Sequence, residues 1–184
     1  MYLKELKSGG PMSLNHNEQL PEDAKKEMSL ETIFILYKAP IYQFVYRYCQ
    51  DEQLSIDIVQ DTFVRFHKYQ SRFDENKASL KTYIFGMAYQ EMMNRLKRRN
   101  RLKKLLPYLY HRNDQPEIAI EDKLSIQAAV QQLPNEQRAV ILLTYYHDLT
   151  QKDISKVLEI PVGTVKSRLH SSLKKLKILL EVKE

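Results

Sequence analysis

Between Leu30 and Tyr48 the large apolar side chains fall at Leu30, Ile33, Phe34, Tyr37, Ile41, Phe44, Val45 and Tyr48. Steps of three and four residues put them on one face of an α-helix, and a chain that begins this way must bury that face against further helices. The stripe runs through Pro40, where the missing N–H and the ring predict a kink or a restart. A second stripe follows at Ile58, Val59, Thr62, Phe63 and Phe66. After a short polar loop near Gln70 to Lys77, a third runs through Leu80, Tyr83, Ile84, Met87 and Ala88 into a basic end. Glycine occurs only 4 times and no strongly alternating run is present, so the expected class is all-α.

A chain of 184 residues accommodates two small domains, each with a thin core. Residues 1–28 hold Gly9-Gly10-Pro11 and few large apolar side chains, and read as a disordered extension, either a flexible arm or a stretch preceding a true initiator at Met12 or Met28. The three stripes give a first helical domain over 29–105. Pro107, Asn113-Asp114 and Pro116 interrupt any pattern over 106–120, the mark of a flexible linker able to span ~45 Å. Four shorter segments over 121–184 make a second domain, bounded by Leu133-Pro134, by His147 to Thr150 and by Glu159 to Pro161. Thr150 with Asp153 is a capping signature, and Pro161 suits the mouth of a helix.

Charge narrows the partner. The formal net charge is +6, which suits an anionic partner and equally suits plain solubility, so position decides. Seven of the ten residues from Arg95 to Lys104 are basic, at the end of the third stripe. Such a run either stays solvated or neutralises nucleic-acid phosphates with release of counterions. The single cysteine, Cys49, has no internal disulfide partner and reads as a small buried residue. No leader-like or membrane-spanning apolar run occurs, so a reducing cytoplasm is the expected compartment. His16, His67, His111, His147 and His170 do not cluster with Cys at metal-ligand spacing, and phosphate-loop and nucleophile-elbow strings are absent. Neither a catalytic constellation nor a cofactor or metal site is expected.

The most specific pattern lies near the end. A short helix from Gln151 to Leu158, a turn at Glu159 to Pro161 and a second helix from Val162 make a helix-turn-helix. In such motifs the early residues of the second helix enter the major groove. Thr164, Lys166, Ser167, Arg168, His170 and Ser171 are then the base readers, with Lys174, Lys175 and Lys177 placed for phosphates. Val165, Leu169, Leu173 and Leu176 supply the buried face. The alternative is an ordinary helical hairpin with a basic, solvated side.

The literal residues decide between them. Leu133-Pro134, Arg138, Tyr145, Leu149-Thr150, Asp153-Ile154 and the run from Ile160 to Leu169, IPVGTVKSRL, resemble region four of the extracytoplasmic-function sigma factors of RNA polymerase. DIVQDTFVR, Asp57 to Arg65, is similar to the EDLVQETFLR string of region two in the same family. The third helix, with Thr82-Tyr83-Ile84, Met87-Ala88-Tyr89-Gln90, Asn94 and Arg98-Arg99, resembles the TWL..IARN...D..RR segment of region two.

The resemblance covers about Leu30 to Leu180 and implies an alternative sigma factor, not an enzyme. It implies that core polymerase docks, through its largest-subunit clamp helices, on Asp57, Gln60, Asp61 and Phe63. By the same resemblance the opened −10 strand meets Phe73, Tyr83, Gln90, Asn94, Lys97, Arg98, Arg99 and Arg101. The −35 duplex meets Thr164, Lys166, Ser167, Arg168, His170 and Ser171, with Lys174 and Lys175. Some physical support is independent of the family. Asp51, Glu52, Asp57 and Asp61 run without a base until Arg65, and Gln90 and Asn94, four apart, share a helix face with amides able to bond base edges. Phe73 and Tyr83 fit a surface on which unstacked bases settle, although Tyr83 fits the apolar stripe as well.

The partners implied are core RNA polymerase, promoter DNA and an anti-sigma factor that sequesters the chain at the membrane; no small-molecule substrate is implied. Against the family pattern, Tyr83 stands for Trp, Gln90 for Asn, Asn94 for Asp, Ser171-Ser172 for Arg-Ala and Glu159 for Gly, which leaves both promoter preferences open. Two other readings are a free-standing helix-turn-helix regulator, whose first domain dimerises or senses a ligand, and a helical adaptor without nucleic acid.

Overall fold

The structure, a computed structural model, describes residues 29–105 and 126–181. The expected extension and linker lie outside them. The described chain is a set of helices: α1 (Leu30–Cys49), α2 (Glu52–Tyr69), α3 (Leu80–Leu105), α4 (Ile126–Gln131), α5 (Asn135–Tyr145), α6 (Gln151–Leu158) and α7 (Val162–Glu181). A single 3-10 turn, Gln70–Arg72, extends α2. None of the described helices is long and apolar enough to cross a membrane.

Local chemistry sets the ends. Ser29 Oγ accepts the Thr32 N–H at the start of α1, Asp51 the Leu54 N–H at the start of α2, and Thr150 the Asp153 N–H at the start of α6. Each satisfies an amide that has no partner within the first turn. Ser79 does the same for Thr82 ahead of α3. Gln50 closes α1 in the left-handed region, φ 54°, and its N–H returns to the Tyr46 carbonyl. Of the kink or restart expected at Pro40, the restart does not occur: α1 runs through it as one helix. Ile41, Phe44, Val45 and Tyr48, all buried, continue the stripe beyond the proline, and their packing offsets the lost backbone bond.

The first three helices pack on one another through the predicted stripes, with Ile41, Phe44, Val45, Ile58, Ile84, Phe85, Ala88 and Met92 fully enclosed. The last four enclose Ala139, Val140, Ile141, Leu143, Ile154 and Val165. These two groups do not stand apart as two thin cores: they form one continuous apolar cluster. The junction is built from aromatic rings. His147, in the turn between α5 and α6, meets Phe44 of α1 at 5.7 Å and Phe85 of α3 at 4.9 Å, centroid to centroid.

Polar groups close the same seam. Arg138 of α5 donates from Nη1 to the Tyr48 carbonyl at 2.9 Å, and from Nη2 to the Leu133 carbonyl at 3.2 Å. It thereby ties the end of α1 to the turn between α4 and α5. Tyr48 Oη donates to the Asn135 carbonyl at 3.3 Å. Charge-assisted bonds of this partly enclosed type contribute more than exposed ones.

Candidate nucleic-acid and polymerase interfaces

The last two helices have the angular form that DNA readers use. α6 ends at Glu159, φ 54° and ψ 44°, whose N–H returns to the Ser155 carbonyl. A left-handed corner closes a helix in this way, and Ile160 adds a second bond to Ser155. Pro161 then precedes α7, and its carbonyl accepts from Thr164 and Val165. Buried Val165 and Leu176, with half-buried Leu169 and Leu173, turn one side of α7 inward. Lys166, Ser167, His170, Ser171, Lys174 and Lys175 are consequently exposed on the other.

Two of these side chains are already engaged with their own helix. Ser167 Oγ donates to the Thr164 carbonyl and Ser171 Oγ to that of Ser167, so both hydroxyls retain acceptor capacity towards an outside donor. Thr164 and Arg168 are half-buried, and Arg168 forms an ion pair at 2.5 Å with Glu136 of α5. Ser172 is fully buried, and its hydroxyl donates to the Arg168 carbonyl at 2.5 Å. Of the Ser171-Ser172 pair, only the first faces solvent.

α3 sorts the basic run by helix face. Arg95 and Arg99 are four residues apart and both turn to acidic groups of the first three-helix unit. Arg95 pairs with Asp57 at 3.6 Å and more closely with Asp61; Arg99 pairs with Asp51 at 2.9 Å. The hydrogen bond that Arg95 donates to Asp61, with the charges of Asp61 and Asp57, holds the guanidinium above the ordinary arginine range. Lys97, Arg98 and Arg101 are exposed on other faces of α3, as is Asn94. The seven cations therefore do not act as one block.

The acidic face of α2 is correspondingly not a free row of carboxylates. Asp57 also accepts from Gln53 Nε2 at 3.0 Å, while Gln60 is exposed between Asp57 and Asp61. Phe63, expected among the docking residues, belongs instead to the core: it is 7 % exposed and meets Phe34 edge-on at 4.9 Å. An α-helix turns by about 100° per residue, so Phe63 points inward while Gln60 and Val64 point out. Val64 is 69 % exposed, and its outward apolar surface is what the alternation of charges hid.

Phe73, Tyr83 and Gln90 come next. Phe73 follows the 3-10 turn and lies 5.3 Å from the Tyr83 ring, which in turn meets Phe66 at 6.3 Å. Both Phe73 and Tyr83 are half-buried, so each keeps an edge on the surface while its body is fixed by neighbours. Gln90 Oε1 accepts from Arg65 at 3.0 Å, and its Nε2 donates to Glu159 of the helix-turn-helix corner. Asn94, on the same face, is exposed.

The residues that sequence reasoning passed over are Arg95, Glu136, Arg138 and the pairing of Gln90 with Glu159. Arg138 stood inside the quoted string without a role, yet it is held by three backbone carbonyls, those of Tyr48, Gln131 and Leu133, and lies over the Tyr48 ring at 5.5 Å. Cys49, next to it, is half-buried, and burial together with Asp51 pushes its thiol up to about 12.

With this geometry established, comparison with known proteins gives a consistent result. Residues 33–102 match the family model for Sigma-70 region 2, and residues 123–176 that for Sigma-70, region 4. Among curated relatives, the chain is 30% identical over 150 residues to the ECF RNA polymerase sigma factor SigW of Bacillus subtilis (strain 168), covering 73% of this chain and 80% of the relative. It is 24% identical over 157 residues to SigM of the same organism, covering 83% and 95%. Among solved structures, the fold superposes on the sigma factor RpoE in complex with the anti-sigma factor NepR from Bartonella quintana. The TM-score is 0.68 at 20% identity, over 89% of this chain and 100% of that one. CnrH in complex with the cytosolic domain of CnrY gives 0.62 at 20% identity, over 99% and 96%.

Proposed function

The chain belongs to the extracytoplasmic-function family of RNA polymerase sigma factors, and from that premise we propose how its own residues do the work of the family. It is an alternative sigma factor: it binds core RNA polymerase and directs promoter-specific initiation. A free-standing regulator is not favoured, because the first unit matches Sigma-70 region 2 rather than a dimerisation or ligand-sensing module.

In our reading residues 29–105 form the polymerase-docking and −10 unit, residues 121–184 the −35 unit, and 106–120 the connection between them. The observation that carries the −35 assignment is the face of α7: Lys166, Ser167, His170 and Ser171 exposed on one side, with Val165 fully buried on the other. An α-helix fits the major groove, and donors and acceptors on its first turns reach base edges there. Lys174 and Lys175, further along, approach phosphates and fix register.

The −10 assignment rests on Phe73 and Tyr83, anchored rings with a free edge, beside Gln90 and Asn94. Flipped bases stack on such rings, and the amides bond their edges. Lys97, Arg98 and Arg101 lie along the same helix for the backbone. Docking uses the outer groups of α2: half-buried Asp57 and Asp61, paired with Arg95, and exposed Gln60, with Val64 beside them. Each contact is modest alone, and the connection between units makes the second one effectively intramolecular.

The chain supplies specificity and leaves phosphodiester chemistry to the polymerase. It works in the cytoplasm, where polymerase is, and an anti-sigma protein is the expected antagonist, as for the relatives whose structures were solved with one. Run-off transcription with purified core polymerase on fragmented genomic DNA tests the function directly. Discrete transcripts that require the chain are expected; core polymerase unchanged by its addition counts against it.

A further inference from the structure

The Gln90 amide has one end committed within its own unit. Its Oε1, on α3, accepts from Arg65 Nη2 of α2 at 3.0 Å. Both side chains are half-buried, and Asn94, about one turn further along α3, is exposed. Nε2 of the same amide donates to the Glu159 carboxylate. A guanidinium carries donors and no acceptor, and a carboxylate carries acceptors and no donor. The two partners together therefore fix which end of the amide is oxygen and which is nitrogen. Of these bonds, only the one to Arg65 lies inside the first three-helix unit, so it accompanies Gln90 wherever that unit binds.

This orientation bears on base choice. A Gln amide with both ends available recognises adenine in pairs, donating to N7 while accepting from N6. With Oε1 facing Arg65, an N6 amino group would bring a second donor towards a cation. Nε2 keeps its protons for an acceptor, as its bond to a carboxylate oxygen illustrates. Guanine, thymine and cytosine each offer a carbonyl oxygen; adenine has none. Gln90 stands where the family pattern has Asn, so its preference has to come from its own surroundings.

We propose that Arg65 is a positioning residue for −10 recognition: it holds Gln90 as a donor and so directs it to a base with a carbonyl oxygen and against adenine. Arg65 acts through Gln90 and not on the base. This rests on the reading of Gln90 as a −10 residue.

The test uses the full chain with core RNA polymerase on a promoter taken from the genomic run-off. Its −10 element is randomised, each template carries a barcode in the transcribed part, and the transcripts are sequenced. The unsubstituted factor is expected to disfavour adenine at one −10 position, and Gln90→Ala to flatten the preference there. Arg65→Met, uncharged and of similar length, should raise adenine against the other bases by about fivefold or more at that position, as the paired contact becomes available. Arg65→Lys, which keeps a cationic donor, should retain the unsubstituted pattern. The ratio is internal to each reaction, so less folded factor or weaker docking does not move it. Should the Met variant not fold, Arg65→Ala, the residue most favourable to a helix, repeats the measurement.

Adenine unchanged by Arg65→Met, at a position that Gln90→Ala flattens, overturns the positioning and leaves the reading of Gln90 standing. No position altered by Gln90→Ala overturns that reading and the proposal with it. Adenine preferred at that position by the unsubstituted factor overturns the proposal outright. So does a uniform loss of yield without a change of ratio, which would make Arg65 structural only. An adenine gain as large in Arg65→Lys as in Arg65→Met would mean that the cationic donor is not the cause.

Discussion

The Phe85 ring lies 4.9 Å from the imidazole of His147, at a tilt of 55°, and the two residues belong to different sigma regions. His147 is 6 % exposed, and its Nε2 finds no hydrogen-bond partner among the described residues. Burial first, then the cationic Lys81 and Arg47, lower its pKa from 6.5 to about 3. Lys81 is itself lowered by burial, partly countered by Asp148 and Asp153, so the surroundings of the ring carry both signs.

A proton on His147 therefore opposes the packed state. The folded value lies below the unfolded one, so the contribution is intact above pH 6.5 and is lost as pH falls from 6.5 towards 3. At pH 5 the loss is about 2 kcal/mol. Denaturant midpoints measured at pH 7.5 and 5.0 should fall further for the unsubstituted chain than for His147→Leu. Parallel pH profiles for the two would refute the assignment.

Phe44→Ala should be the most damaging single truncation. The side chain is fully enclosed and meets Phe85, Tyr48 and His147, so its loss leaves a cavity at the seam of both units. The expected cost is ~3–5 kcal/mol. Chemical denaturation followed by circular dichroism measures it; a cost near that of an exposed residue would mean that the seam does not hold in solution.

Lys166→Ala should weaken transcription through the −35 element by ~1–3 kcal/mol and relax preference at one position. Lys166 is exposed, so folding should be unaffected. Arg168→Ala should lose the same kind of contact and also its ion pair with Glu136. Matched templates with intact and scrambled −35 sequences give the readout. Equal losses on the two would exclude base reading by either residue.

Replacing Asp57 and Asp61 by Lys should reduce co-purification with core polymerase. The structure adds a second effect: two new cations face Arg95 in place of its partners. The pairs are about a third exposed, so their stability contribution is only ~0–1 kcal/mol. The Asp57→Asn and Asp61→Asn pair keeps the shape without the repulsion. Polymerase retention by the Lys variant at the unsubstituted level would remove this face from the docking surface.

Much of this architecture is written in short-range pattern. The stripes give α1 to α3, Thr150 and Asp153 start α6 where capping chemistry says, and the corner at Glu159 to Pro161 falls on the predicted turn. What lay beyond reach was pairing across long stretches of chain. Asp51 meets Arg99 and Gln90 meets Glu159 only because helices distant in sequence pack side by side. The resemblance sets Arg99 with Lys97, Arg98 and Arg101 for DNA, and the helix turn also brings it to Asp51. Phe63 was misplaced for the same reason: its neighbours in the string are outward, and its own direction is fixed by Phe34. The restart allowed for at Pro40 does not occur because tertiary packing overrode local propensity.

Cys49 is the chain's single cysteine, and its thiol stays protonated throughout the physiological range. Thiolate, not thiol, reacts with peroxide or exchanges with disulfides, so the group is a poor target for either. The one thiol of the factor is thus a poor receiver of an oxidant signal.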